Sequence, residues 1–371
     1  MTDGPSLLTT LIAFLLVLGP LIVIHELGHY LVGRWFGVKA DVFSVGFGKE
    51  LAGWTDRRGT RWKLSALPLG GYVQFAGDMN AVSMPAEQDA RLSEPERAGQ
   101  FHAKPLWQRS LIVAAGPLTN LIFAVAIFAA FNLAYGKIVA TPEIVEFTSD
   151  SAAQQAGLKI GDRIVSVDGS AIESFTDIPE RVVPYPGRTL TIGIERDGER
   201  LEIPVKIALA VETDSFGNEA RIGRLGIGAG KAEVVEVGPI EAVTLGVDQS
   251  IGIMRMMITG ISQIFTGERS VKELGGPIKI AKYSGEQFSL GWSNFVSFVA
   301  LISINLAFIN LLPIPALDGG HLAFYAAEAV RRTPLGLRSQ EWAFRTGLAL
   351  VLALMLFVTI NDLASLPFFG G

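Results

Sequence analysis

From Leu7 to Ile24 the chain carries no charged residue, and this run leads straight into His25-Glu26-Leu27-Gly28-His29. An uncharged stretch of that length reads as a membrane-spanning helix. Within a helix, residues four apart share a face, so both imidazoles reach one ion. Glu26 stands beside them. In hydrolases with this pattern the ion lowers the pKa of a water to about 7, and the intervening glutamate takes its proton. The same five letters also occur in soluble helices, where two histidines merely face solvent. Membrane depth weighs against that reading, because ionisable residues there are costly and persist with a partner and a function.

With 49% hydrophobic and 18% charged residues and a mean hydropathy of +0.39, the composition is that of a polytopic membrane protein. A net charge of -5, without a basic patch interleaved with aromatics, leaves no basis for a nucleic-acid partner. The absence of cysteine excludes thiol catalysis, disulfides and Cys-based zinc sites. The histidines are His25, His29, His102 and His321, so metal sites are few.

The segment before Leu7 holds Asp3 and neither Lys nor Arg. A secretory signal needs a basic start and a small-residue cleavage site, so residues 1–34 are read as a retained transmembrane helix. Arg34, Lys39, Lys49, Arg57, Arg58, Arg61, Lys63 and Lys104 follow, which makes the 35–105 loop cytoplasmic and the N-terminus external. Inside that loop, Val42 to Gly48, Trp62 to Leu64 and Pro68 to Val73 alternate apolar residues around glycines. This predicts a β-hairpin region whose backbone is open to close approach. Residues 79–104 read as exposed loop, with His102 a surface residue. Ser110 to Gly136 is an uncharged run of 27 residues, which places a second span within 106–136. Gly116-Pro117 puts a helix breaker inside it, and Asn120 either bonds a neighbouring helix or lines the active-site cavity.

Residues 138–210 change to short strands and turns, an inserted α+β domain. The text Ala156-Gly157-Leu158, Gly161-Asp162, Ile164 and Val167-Asp168-Gly169 resembles a PDZ domain, a fold that takes an extended peptide as an added strand; a plain spacer domain is the competing reading. The 211–292 region holds an amphipathic helix over 239–265, interrupted by Asp248 and Arg255, which is read as lying on or dipping into the membrane. A third span over 293–318 ends in Asn310-Leu311-Leu312-Pro313-Ile314-Pro315-Ala316-Leu317-Asp318-Gly319. Its prolines forbid a regular helix, and broken backbone at membrane depth is tolerated only within protein or beside a cavity. Asp318 is the natural third ligand, giving two histidines, one carboxylate and an open position for water; His321 is its rival. Arg331, Arg332 and Arg338 mark a cytoplasmic loop over 319–342. A last span covers 343–366, where Arg345 and Asp362 enclose 16 uncharged residues and snorkel to the interfaces. Asp318 reaches the depth of His25 only if its helix also runs outside to inside. An even number of crossings must lie between them, which four spans satisfy.

The HELGH text in a first transmembrane helix, the Asn310-to-Gly319 motif and the intervening PDZ-like domain together resemble the site-2 protease family, in particular the bacterial regulator-of-sigma-E proteases. The likeness spans nearly the whole chain and includes Gly46-Phe47-Gly48 and Pro68 to Val73. The resemblance implies an intramembrane metalloendopeptidase with one Zn2+ on His25, His29 and Asp318. It implies Glu26 as base and Asn310 positioning substrate or stabilising the oxyanion. Gly46, Phe47, Gly48, Gly70, Gly71 and Tyr72 would hold the unwound substrate as a strand. One PDZ-like domain stands where the best-known members carry two. The substrate implied is a single-span membrane protein trimmed beforehand, of anti-sigma-factor type, or a signal-peptide remnant, with a peptide or C-terminus at the PDZ groove. The setting implied is the bilayer of the bacterial inner membrane, with both termini and the PDZ domain periplasmic and the active site near the cytoplasmic side. A membrane-anchored PDZ scaffold with a non-catalytic metal site is the alternative. A metal transporter is disfavoured, because transport needs no base. The donor set also suits iron or cobalt.

Overall fold

The computed structural model describes residues 5–77, 93–213, 219–333 and 336–364. It divides into two compact units, Met1–Ile127 with Gly276–Ile360, and Phe128–Gly275 with Asn361–Gly371.

The first unit opens with helix α1 (Leu7–Trp35), whose first turn is capped by the Ser6 hydroxyl accepting from the Thr9 N–H at 3.1 Å. Strands β1 (Ala40–Thr55) and β2 (Arg61–Phe75) follow. Both are bent, so that Val42–Val45 pairs with Arg61–Leu64 on one side and with Gly71–Gln74 on the other, while Glu50–Thr55 folds back onto Arg61–Ser65. The result is a sheet of four arms with Gly71–Phe75 at one edge. Gly46, at φ 92°, turns the first corner; a Cβ there would lie 2.8 Å from the Leu67 carbonyl oxygen, so only glycine fits. Val38, Ala40, Phe43, Phe75 and Phe101 pack with Tyr30, Ile112 and Tyr325 into one core. Of the loop expected over 79–104, residues 78–92 lie outside the described ones; helix α2 (Glu94–Ala98) occupies part of the remainder. Helix α3 (Leu106–Tyr135) runs through Pro117, where the sequence suggests a break. Proline withdraws one N–H from the ladder, which neighbouring helices in a bundle compensate.

In the second unit come β3 (Lys137–Ala140), β4 (Glu146–Phe147), α4 (Ala152–Gln155), β5 (Arg163–Val167), β6 (Ser170–Ala171), α5 (Asp177–Val182), β7 (Thr189–Arg196) and β8 (Glu199–Lys206). They continue into β9 (Ala208–Thr213), β10 (Glu219–Arg224), β11 (Ile227–Gly228), β12 (Ala232–Val235) and α6 (Pro239–Thr266). The principal sheet has the antiparallel order β6-β5-β7-β8. Its β7–β8 turn uses Asp197 and Gly198, both at positive φ, as a two-residue hairpin requires. Strand β11 returns to pair with β4, and β12 with β3. Leu225 sits in the same core as Ile144, Ile164, Ile192, Ile194 and Val205. The expected boundary at 210 therefore falls short, and the domain continues through β12. Helix α6 buries Ala242, Gly246, Ser250 and Gln263 and exposes Ile240, Val243, Val247, Ile258 and Phe265.

The chain re-enters the first unit with α7 (Pro277–Ser289), α8 (Trp292–Leu311), α9 (Asp318–Arg331) and α10 (Leu337–Ala364). Helix α7 runs against α1, where a Cβ on Gly285 would lie 2.7 Å from Thr10 Oγ1. Ala13, Val17 and Leu21 of α1 pack with Phe295, Val299 and Ile302 of α8. Helix α8 stops at Leu311 and residues 312–317 are not helical, as the prolines dictate, while the loop expected over 319–342 requires correction, since a new helix begins at Asp318. Leu312 is driven to an extended ψ of 141° by the proline after it, and Asp318 suits the positive end of α9. Among the described residues four helices, α1, α3, α8 and most of α10, are long and apolar enough to cross a membrane. Helix α6, with Glu241, Asp248 and Arg255, is not one of them.

Candidate metal centre

One turn of α1 separates His25 from His29, and the first residue of α9 is Asp318. The two Nε2 atoms lie 3.3 Å apart, and Asp318 Oδ2 lies 3.2 Å from His25 Nε2 and 3.5 Å from His29 Nε2. The imidazole planes meet at 85°, and one ligand atom from each of the three residues joins a compact group. Tetrahedral zinc with bonds of about 2.0–2.1 Å requires ligand atoms roughly 3.3 Å apart. The triangle has that size. Asp318 Oδ2 is buried and makes no regular hydrogen bond, so a cation at the centre is what would satisfy it.

The other ring nitrogens have partners outside this group. His29 Nδ1 lies 2.9 Å from the Ile112 carbonyl, in the turn of α3 that precedes Pro117, and His25 Nδ1 lies 3.3 Å from the Asn120 amide. Close helix approach makes these contacts. A Cβ on Gly116 would strike the His29 ring, and one on Gly28 would strike the backbone of Ala115.

Glu26 is buried, with the Val73 amide turned toward its carboxylate. A Cβ on Gly71 would lie 2.9 Å from Glu26 Cγ and 2.7 Å from the Ser44 carbonyl oxygen. The sheet edge thus passes directly beside the acid. Gly46, Gly48 and Gly70 all adopt positive φ around the adjacent corners. Phe47, 43% exposed, stacks on Tyr72 at 6.0 Å, and Lys63 Nζ sits 5.0 Å above the Tyr72 ring. Asn310 is half-buried on the last turn of α8, and no hydrogen bond joins its side chain to the described residues. His321, the rival ligand, stands outside the His25, His29 and Asp318 group. His102 is exposed, with Nδ1 2.9 Å from the Gly77 carbonyl.

Sequence reasoning did not find Arg109. Its guanidinium reaches Glu328 at 3.3 Å and lies 4.9 Å over the Tyr325 ring, so it ties the first turn of α3 to α9. The available signal was a lone arginine at the start of an apolar run.

Comparison with known proteins bears on the family. The profile of peptidase family M50 matches residues 13–354. The chain belongs to this family, the site-2 proteases. Two similar proteins provisionally named zinc metalloproteases come from Agrobacterium fabrum, 44% identical over 361 residues and 96% of each chain, and Rhizobium meliloti, 44% identical over 359 residues, 95% of this chain and 96% of that one. The metalloprotease MmpA of Caulobacter vibrioides is 34% identical over 380 residues, 96% of each chain. This M50 member is therefore a zinc metalloprotease, and the His25, His29 and Asp318 triangle fits zinc in donor type and spacing. A solved PDZ domain of an SdrC-like protein from Listeria monocytogenes, 20% identical with a TM-score of 0.19, covers 25% of this chain and 92% of that one.

Proposed function

We propose that this M50 protease is an intramembrane endopeptidase that cuts the transmembrane segment of a single-span membrane protein after another protease has trimmed it. Anti-sigma-type proteins and signal-peptide remnants are its substrates, and regulated intramembrane proteolysis is its role. One observation carries the reading: a zinc-sized triangle of His25, His29 and Asp318 beside a buried Glu26, on a helix apolar enough to span a membrane. When bound, zinc supplies a Lewis acid that acidifies water and polarises a carbonyl. The Glu26 carboxylate takes the proton of the attacking water and passes it to the departing amine nitrogen, so one water is consumed as the C–N bond breaks.

A transmembrane helix hides its peptide bonds, and it must unwind before water reaches one. The edge arm Gly71–Phe75 pairs with the opened segment, and Gly46, Phe47, Gly48, Gly70 and Tyr72 line its approach. Asn310, whose amide bonds none of the described residues, orients the substrate or meets the oxyanion. The inserted domain is a PDZ domain that binds a freshly exposed C-terminus or excludes bulky untrimmed substrate. The Lys and Arg distribution supports a bacterial inner-membrane placement with both termini and the inserted domain periplasmic and the metal centre near the cytoplasmic side.

Metal content and cleavage of a model transmembrane substrate in detergent, for wild type, Glu26→Gln and Asp318→Asn, test this. Wild type is expected to carry zinc and cut. Glu26→Gln keeps the metal and loses about 10²- to 10⁴-fold in rate, and Asp318→Asn loses or weakens metal. If all three behave alike, the HELGH text is not the active site and the scaffold reading replaces this one.

A further inference from the structure

Two helices supply the metal ligands, and a third, α3, contacts the far side of both imidazoles. For His29 that contact fixes the proton. The Ile112 carbonyl 2.9 Å from Nδ1 only accepts, so Nδ1 carries the hydrogen and Nε2 is left with its lone pair toward the triangle. His25 faces no carbonyl. Its Nδ1 faces the side chain of Asn120, at 3.3 Å.

Asn120 is 0% exposed. Its main-chain carbonyl accepts from the Ser303 hydroxyl of α8 at 2.8 Å, so the residue stands where α1, α3 and α8 meet. Its Oδ1 is buried with no partner. The two ends of an amide exchange places by rotation about the last side-chain bond, and they have opposite effects on His25. With NH2 toward Nδ1, that nitrogen must hold a lone pair, and the proton moves to Nε2, among His29 Nε2 and Asp318 Oδ2. With oxygen toward Nδ1, the ring keeps Nδ1–H and Nε2 is free.

We infer that Asn120 is the positioning residue for His25: its side-chain oxygen accepts from Nδ1–H and holds the imidazole in the tautomer and orientation that present Nε2 to the metal. It performs for His25 what the Ile112 carbonyl performs for His29. The inference rests on the metal site proposed above. Groups in this position orient metal-bound histidines generally, and their removal weakens metal binding about 10- to 100-fold.

The test measures zinc affinity by chelator competition in the full-length protein in detergent, for wild type, Asn120→Leu, Asn120→Asp and His25→Ala. It is paired with the 15N resonances of His25 in the metal-stripped protein and with the thermal midpoint of that stripped form. Asn120→Leu, which keeps the volume without an acceptor, should raise the zinc Kd about 10- to 100-fold and mix the His25 tautomers, while the stripped protein melts as wild type does. Asn120→Asp, which keeps an acceptor oxygen, should retain zinc and the Nδ1–H tautomer. The inference is overturned if Asn120→Leu binds zinc like wild type with its tautomer unchanged, or if it lowers only the stripped protein's midpoint. Equal loss of zinc affinity in the Leu and Asp variants also overturns it. His25→Ala separates the levels: if it too binds zinc normally, the metal site itself is misassigned.

Discussion

At Gly71 a single methyl group meets three neighbours at once, the Ser44 carbonyl oxygen at 2.7 Å and Glu26 Cγ and Ile22 Cγ2 at 2.9 Å each. One of these is backbone, so the edge arm must move away from α1. A displacement of about 1 Å in a catalytic site costs up to 100-fold in rate. Gly71→Ala is therefore expected to keep its zinc and cut a model transmembrane substrate about 10- to 100-fold more slowly, measured as kcat beside metal content. Wild-type turnover in this variant would remove the edge arm from the reaction. His25, Glu26, His29 and Asp318 were legible in the sequence because helical spacing places the first three together and a proline-broken apolar run leaves Asp318 little other reason to be there. The partner of Asn120 was not legible: a buried amide in an apolar helix serves a neighbouring helix or a cavity equally well, and only the approach of α1 at Gly28 and Gly116 decides. Arg109 was hidden for a related reason, since Glu328 lies 219 positions further on.

One short helix escaped sequence reading, whereas the short strands of the inserted domain over 138–210 and the long helices did not. The four apolar helices announce themselves by uncharged length, whereas α9 follows its proline break as a helix of 14 residues carrying His, Glu and Arg and reads as loop. Its hold on the fold is specific. Arg109→Ala withdraws the guanidinium from a Glu328 carboxyl only 8% exposed and from the Tyr325 ring, and it should cost on the order of 2 kcal/mol, seen as a lower thermal midpoint in detergent. An unchanged midpoint would mean that the hold of α9 on the fold does not depend on Arg109. In the inserted domain, the Asp162 carboxylate ties the turn before β5 to β7, accepting from Arg196 Nε at 2.6 Å and Nη2 at 2.7 Å and from the Lys159 N–H at 2.7 Å. Burial alone would raise this carboxyl, but these donors outweigh it and hold it below the usual range. The folded state thus binds fewer protons than the unfolded one. The stabilisation is complete above an unfolded pKa of about 4 and is lost as pH falls through the lower folded value. The protection factors of the β5 and β7 amides, with intrinsic exchange divided out, should hold constant from neutral pH to about pH 4 and fall below it in wild type, and Asp162→Asn should show lower protection at neutral pH with little further acid response. A wild-type profile that stays flat below about pH 4 as well would discard the linkage.

Across the whole molecule, the insertion between the second and third spanning helices is closed by its own ends. Lys137 pairs with Val235 and Ala140 with Ala232, so the chain leaves and re-enters on adjacent strands. The sequence could not show this, because β12 is four residues long and its partner lies almost a hundred positions earlier. The pairing dictates how the domain's role is tested. Removing 138–210 would take β4 and most of β3 from β11 and β12 and leave both strands without their partners, so a loss of activity would say nothing about substrate choice. Removing 137–235 and joining Gly136 to Glu236 takes out a complete strand-closed body across a gap of one strand pair. If the domain excludes untrimmed substrate, this deletion should cut intact and pre-trimmed model substrates at similar rates, while wild type cuts only the trimmed one. If the domain instead delivers a freshly exposed C-terminus, trimmed substrate should be cut more slowly and intact substrate should stay resistant. Substrate preference unchanged from wild type would assign the domain neither task. Zinc content should match wild type in every case, because His25, His29 and Asp318 all belong to the other unit; a loss of zinc would mean that the ligand geometry depends on the insertion.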